Sequence, residues 1–81
     1  MHIGKHIHLV LKKRERTVTW FAGKLNMVRA NVYDIFSRRT IDTELLQRIS
    51  IILDYNFFKD LYNELDRIIT KEYTNNNNDM E

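Results

Sequence analysis

Few residues in this chain are equipped to do chemistry, and their spacing limits what that chemistry can be. His2 and His6 stand four apart, with His8 close by. Two imidazoles one helical turn apart share a face and can ligate a metal ion. A metal site needs further ligands, and no acid lies near these histidines in the chain. The first forty residues contain only Glu15 and Asp34 as carboxylates. There is no cysteine, which excludes disulfides and thiolate metal sites. No glycine-rich phosphate loop, serine elbow or paired acid is present in the sequence. The expectation is a protein that is not an enzyme and has no cofactor and no metal.

Cations are the more numerous reactive type, and they are unevenly placed. Residues 1–40 carry nine Lys and Arg (Lys5, Lys12, Lys13, Arg14, Arg16, Lys24, Arg29, Arg38 and Arg39) against two acids, a balance of +7. Residues 41–81 carry four (Arg48, Lys59, Arg67 and Lys71) against nine acids, a balance of −5. The net charge of +2 conceals this dipole. A basic half is drawn to a polyanion and an acidic half is turned away from it. Ordinary solvated charge on helix faces is the competing explanation.

The elements that must carry these residues are helices. The chain has 81 residues, one domain at most, with no proline and only two glycines, Gly4 and Gly23. Helices can therefore run unbroken, and β-turn chemistry is scarce. Domains this small bury a modest core and often add a partner subunit. Ile3, Ile7, Val10 and Leu11 recur at helical spacing and predict a first helix over about residues 2–15. Thr17 can cap a short second helix reaching Leu25, with Val18, Phe21, Ala22 and Leu25 inward. Asn26 is a natural exit, because asparagine tolerates the left-handed conformation that ends helices. A third helix spans about 29–37, with Val32, Ile35 and Phe36 inward. Asp42 or Thr43 can cap a fourth, reaching Leu53. A fifth runs over about 57–73, which makes an all-α domain of 1–73 followed by an Asn-rich, disordered tail at 74–81. No apolar run approaches the roughly 18–20 residues that span a bilayer. The early segment alternates apolar residues with His and Lys, unlike a secretory leader. A cytoplasmic protein without a membrane partner is expected.

Two short helices joined by a tight turn, as in residues 17–36 (TVTWFAGKLNMVRANVYDIF), have the layout of a helix-turn-helix. Ala22 supplies the small residue that two steeply crossing helices need, and Leu25 and Val32 would fill the angle between them. The sequence resembles the Xre/Cro-like, phage-repressor-type helix-turn-helix domains over about residues 3–65. The resemblance is carried by Phe21-Ala22, Leu25-Asn26, Val32, Ile35-Phe36 and the following IDTELLQRISIIL. Asn26 stands where the family usually has a turn glycine, and Val28 where it has a capping Ser or Thr.

The resemblance implies a five-helix fold and a sequence-specific DNA-binding regulator of transcription, a repressor in type, whose third helix enters the major groove of double-stranded DNA. It places Arg29, Ala30, Asn31, Tyr33 and Asp34 at the base-reading positions. Arginine pairs in bidentate fashion with guanine, asparagine with adenine, and alanine touches a thymine methyl. Ordinary solvent exposure is the competing account of Arg29 and Asn31, and a salt bridge to Arg38 is preferred for Asp34. Thr17 and Thr19, at a helix start that attracts phosphate, join Lys24, Arg38 and Arg39 as candidate phosphate contacts. Lys12, Lys13, Arg14 and Arg16 either widen this footprint or form a solvated helix end. Trp20 is expected to pack sideways on a neighbouring helix rather than stack on DNA. Leu61, Tyr62, Leu65, Ile68 and Ile69 form a stripe longer than a small core needs. It serves either a homodimer through the fifth helix or the chain's own core. A protein-interaction module that keeps the fold without binding DNA is the alternative function.

Overall fold

Five α-helices and no strand make up the computed structural model, which describes residues 1–80, with side chains described through residue 72. In chain order they are α1 (Ile3–Lys13), α2 (Val18–Leu25), α3 (Arg29–Ser37), α4 (Thr43–Leu53) and α5 (Phe57–Met80). The disordered tail expected at 74–81 falls outside the residues whose side chains are described. Among the described residues no helix is long and apolar enough to cross a membrane.

Local chemistry sets most of the helix ends. Thr17 is extended, and its hydroxyl oxygen accepts the Trp20 N–H at 3.0 Å, starting α2. Asp42 does the same for α4 by accepting the Leu45 N–H at 2.8 Å. Asn56 Oδ1 accepts the Lys59 N–H at 3.1 Å as α5 begins. Helices α1, α2 and α4 each stop at a residue in the left-handed conformation: Glu15 (φ 57°), Asn26 (φ 56°) and Asp54 (φ 50°). Each stop is closed by an N–H bonded five residues back: Arg16 to Leu11, Met27 to Ala22 and Tyr55 to Ser50. Orphan carbonyls at the helix ends are thereby satisfied.

All five helices contribute to one core. Ile7, Phe21, Val32, Ile49 and Phe57 are completely excluded from solvent. No buried side-chain polar atom lacks a partner among the described residues. Gly4 makes this packing possible. A Cβ at that position would lie 2.4 Å from the carbonyl oxygens of both Ile35 and Phe36, so the end of α3 can approach α1 only across a bare backbone. The first N–H groups of α1 use that closeness. Ile3 donates to the Arg39 carbonyl at 3.0 Å and Gly4 to the Arg38 carbonyl at 2.9 Å. Helix α5 is held differently. It inserts Phe57 and packs Leu61 partly against the core, then leaves the globule.

Candidate nucleic-acid interface

Helix α3 presents one buried face and one open one. Val32, Ile35 and Phe36 are buried, whereas Arg29, Ala30, Asn31, Tyr33 and Asp34 are all exposed. The buried side is clamped from two directions. Helix α1 meets it through Gly4. Helix α2 meets it through Phe21, whose ring stacks parallel to that of Phe36 at 6.4 Å, next to the buried Ala22. The turn between α2 and α3 has a third support, because Arg48 of α4 donates to the Leu25 carbonyl at 3.1 Å. Arg48 was invisible as a positioning residue in the sequence; it sits in the acidic half, 23 residues from its acceptor. Helix α3 starts at an extended Val28 that makes no side-chain cap.

The open face is polar and mostly unspent. Arg38 donates through both Nε and Nη2 to Asp34 Oδ2, at 3.0 and 2.6 Å, the i, i+4 pair preferred for that acid. Both side chains are about half exposed, so a phosphate can compete for the guanidinium at little cost. Arg29 and Arg39 make no ion pair or side-chain hydrogen bond among the described residues, and both are exposed. Tyr33 rests against the Phe36 ring edge-to-face at 5.9 Å and stays 49% exposed. Thr19 is exposed, while Thr17 uses its hydroxyl oxygen as the α2 cap and keeps its hydrogen free. Lys24 and Arg16 lie over the Trp20 ring at 5.9 and 4.7 Å, and Trp20 itself packs partly buried against the core. This surface can donate to anionic and carbonyl oxygens along one ridge of α3, its flanks and the start of α2.

No family model, curated protein or solved structure matches the chain.

Three residues have structural work that the sequence did not disclose. His2 Nδ1 accepts the Lys5 N–H at 3.1 Å and so caps α1. Arg14, counted with the basic group, donates to the Leu53 and Asp54 carbonyls at 3.0 and 2.7 Å and caps α4 instead. His6 does have an acid beside it, contrary to expectation, because α5 brings Asp60 Oδ2 within 2.6 Å of its Nε2. The same oxygen accepts the Tyr55 hydroxyl at 2.5 Å. That bond, helped by His6 and opposed by desolvation, lowers the Asp60 pKa, and it raises the Tyr55 pKa. His8 stacks on Phe36 at 4.2 Å, and the resulting desolvation, with Lys12 nearby, lowers its pKa. Among the described residues no three His, Cys, Asp or Glu side chains gather into a metal cluster.

A second open surface lies on α5. Tyr62, Leu65, Ile68 and Ile69 are 65, 55, 48 and 53% exposed. The possibility that the whole stripe folds back on its own core is thereby overturned: only Leu61, nearest Phe57, does so in part.

Proposed function

We propose that this chain is a sequence-specific, DNA-binding regulator of transcription, a repressor in type, in which α2 and α3 act as a helix-turn-helix. The observation that carries this reading is the open face of a doubly clamped α3. Arg29, Ala30, Asn31 and Tyr33 are exposed on a helix whose other side is buried. B-DNA's major groove admits such a helix and offers distinct donors and acceptors at each base pair. Arg29 and Asn31 would read base edges, with Ala30 and Tyr33 beside them. Thr17, Thr19, Lys24, Arg38 and Arg39 would meet phosphates. Asp34 would act by orienting Arg38 rather than by touching a base, as their observed pairing favours. Bound at its operator, the protein would block access to it.

A homodimer through α5 belongs to this reading, since two half-sites compensate for the small surface one such module offers. The exposed apolar face of α5 also favours a second reading, a protein-interaction module that does not bind DNA specifically.

Selection of bound duplexes from a random pool decides between them. The first reading expects an enriched motif. It also expects Arg29→Ala to relax the preference at one base, costing about 1–3 kcal/mol there. Arg39→Ala should weaken all duplexes alike and flatten the salt dependence. No enrichment, and no binding above background at low salt, would leave the interaction module.

A further inference from the structure

Helix α5 carries two apolar rows that serve different ends. At 100° per residue, Phe57 and Leu61 point one way and are the side chains the core receives. Phe58, Tyr62, Leu65 and Ile69 form another row, turned by about a quarter of the circumference. These four are 38, 65, 55 and 53% exposed. Their spacing of four, three and four residues is the heptad seam of a coiled coil. Two flanks accompany the seam. Lys59 and Asp66 stand on one side, both exposed, and Leu61 and Ile68 on the other.

We infer that two copies of this chain pair through α5 with the helices antiparallel. The inference deepens the homodimer part of the proposed function and rests on it, but it requires nothing of α3. The pattern is self-complementary in one register. Phe58 then faces the partner copy's Ile69, and Tyr62 faces its Leu65, each layer occurring twice about the two-fold axis. In that register Lys59 meets Asp66 of the partner copy and Asp66 meets its Lys59, so the charged flanks neutralise each other. On the opposite flank Leu61 meets the other copy's Ile68. Met1 borders this flank, held there by its α-ammonium group on Glu64 at 2.8 Å, and widens the apolar edge. A parallel pair loses these matches. It sets Leu61 against Asp66, which places a carboxylate on an apolar side chain, and it gives Lys59 no acid. Charge complementarity therefore selects a second, inverted copy of α5 as the occupant.

The full chain without DNA supplies the test, and its lack of cysteine makes introduced thiols unique. Phe58→Cys and Ile69→Cys variants are prepared separately, mixed and mildly oxidised. In the antiparallel register the Phe58 positions of two copies stand about 16 Å apart along the helix axis, too far for a disulfide. The expected result is a crosslink between the two variants in the mixture and none within either alone. Wild type should sediment as a concentration-dependent dimer. Lys59→Glu should weaken that dimer roughly tenfold, and Lys59→Glu with Asp66→Lys should restore it. Crosslinking of each variant with itself would overturn the register, and failure of the charge swap to restore association would do the same. A monomer at every concentration would overturn the pairing itself. Because no DNA is present, these outcomes leave the reading of α3 to its own test.

Discussion

Helices α3 and α5 both show solvent a full side, and the two sides have opposite chemistry. On α3 the open residues are Arg29, Ala30, Asn31, Tyr33 and Asp34. On α5 they are Phe58, Tyr62, Leu65, Ile68 and Ile69. The two helices also differ in how they are held. Helix α3 is pressed between α1 and α2, with its last turn against the bare backbone of Gly4. Among the described residues, helix α5 is held over its first two turns, by Phe57 and Leu61, by the Asp60 carboxylate shared with His6 and Tyr55, and by Glu64 at the Met1 α-ammonium group. A rigid helix with a polar face suits recognition of a polar, charged ligand, whose donors and acceptors must be met in fixed positions. A projecting helix with an apolar face suits burial against protein, because exposed apolar surface of that extent is otherwise unfavourable.

Truncations on the two helices should separate them most strongly. Ile35 on α3 is 2% exposed, and Ile35→Ala should cost about 2–5 kcal/mol in urea unfolding. Leu65→Ala on α5, measured at dilute concentration, should stay within about 0.5 kcal/mol of wild type. Equal costs would mean that α5 is built into the fold as firmly as α3. Gly4→Ala probes the clamp on α3 next. Its methyl group would meet two carbonyl oxygens that cannot swing aside, so a loss of about 3 kcal/mol is expected. A variant as stable as wild type would show that α1 and α3 do not approach as described.

Tyr55→Phe tests the polar hold on α5, with an expected cost of about 1 kcal/mol near neutral pH. That cost should have limits at both ends of the pH scale. The Asp60 pKa lies below its ordinary value of 3.8, so its stabilisation is present above that value and lost as pH falls through the lower, folded one. The Tyr55 pKa lies above its ordinary value of 10.0, so its stabilisation is present below that value and lost as pH rises through the higher, folded one. The difference between wild type and Tyr55→Phe should therefore be flat between these limits and shrink beyond each; a difference independent of pH would remove the bond from the account. Val28→Ser should have the smallest effect. Val28 is already extended, 65% exposed and without a side-chain cap, so a hydroxyl there should stabilise α3 by about 0.5–1 kcal/mol in thermal unfolding.

Features that depend on neighbouring residues were legible in the sequence. The Thr17 cap, the left-handed Asn26 and the uncapped Val28 all follow from side chains acting within four residues of their own backbone. The inward rows of α1 to α3 follow from periodicity, and the Asp34–Arg38 pair from helical spacing. Long-range contacts were not legible. Arg14 reaches carbonyls about 40 residues away, Arg48 reaches Leu25, and Asp60 reaches His6 across 54 residues. No local pattern encodes such meetings, because they exist only once the helices have packed. The same holds for Gly4, whose missing side chain matters only where α3 arrives. For the candidate interface, composition and spacing identified an exposed polar row, and packing then showed which cations are engaged: Arg14 and Arg38 are, whereas Arg29 and Arg39 have no such partner among the described residues.

The proposed division of labour between the two helices is tested most directly by one NMR experiment, a titration of the ¹⁵N-labelled protein with a duplex recovered from the random pool. Amides over residues 29–34, with those of Thr17, Thr19 and Arg39, are expected to shift or broaden on addition of duplex. Those over residues 62–69 of α5 should stay where they are in the DNA-free protein at the same concentration. Perturbations confined to α5, or none at all on α3 at saturating duplex, would contradict it.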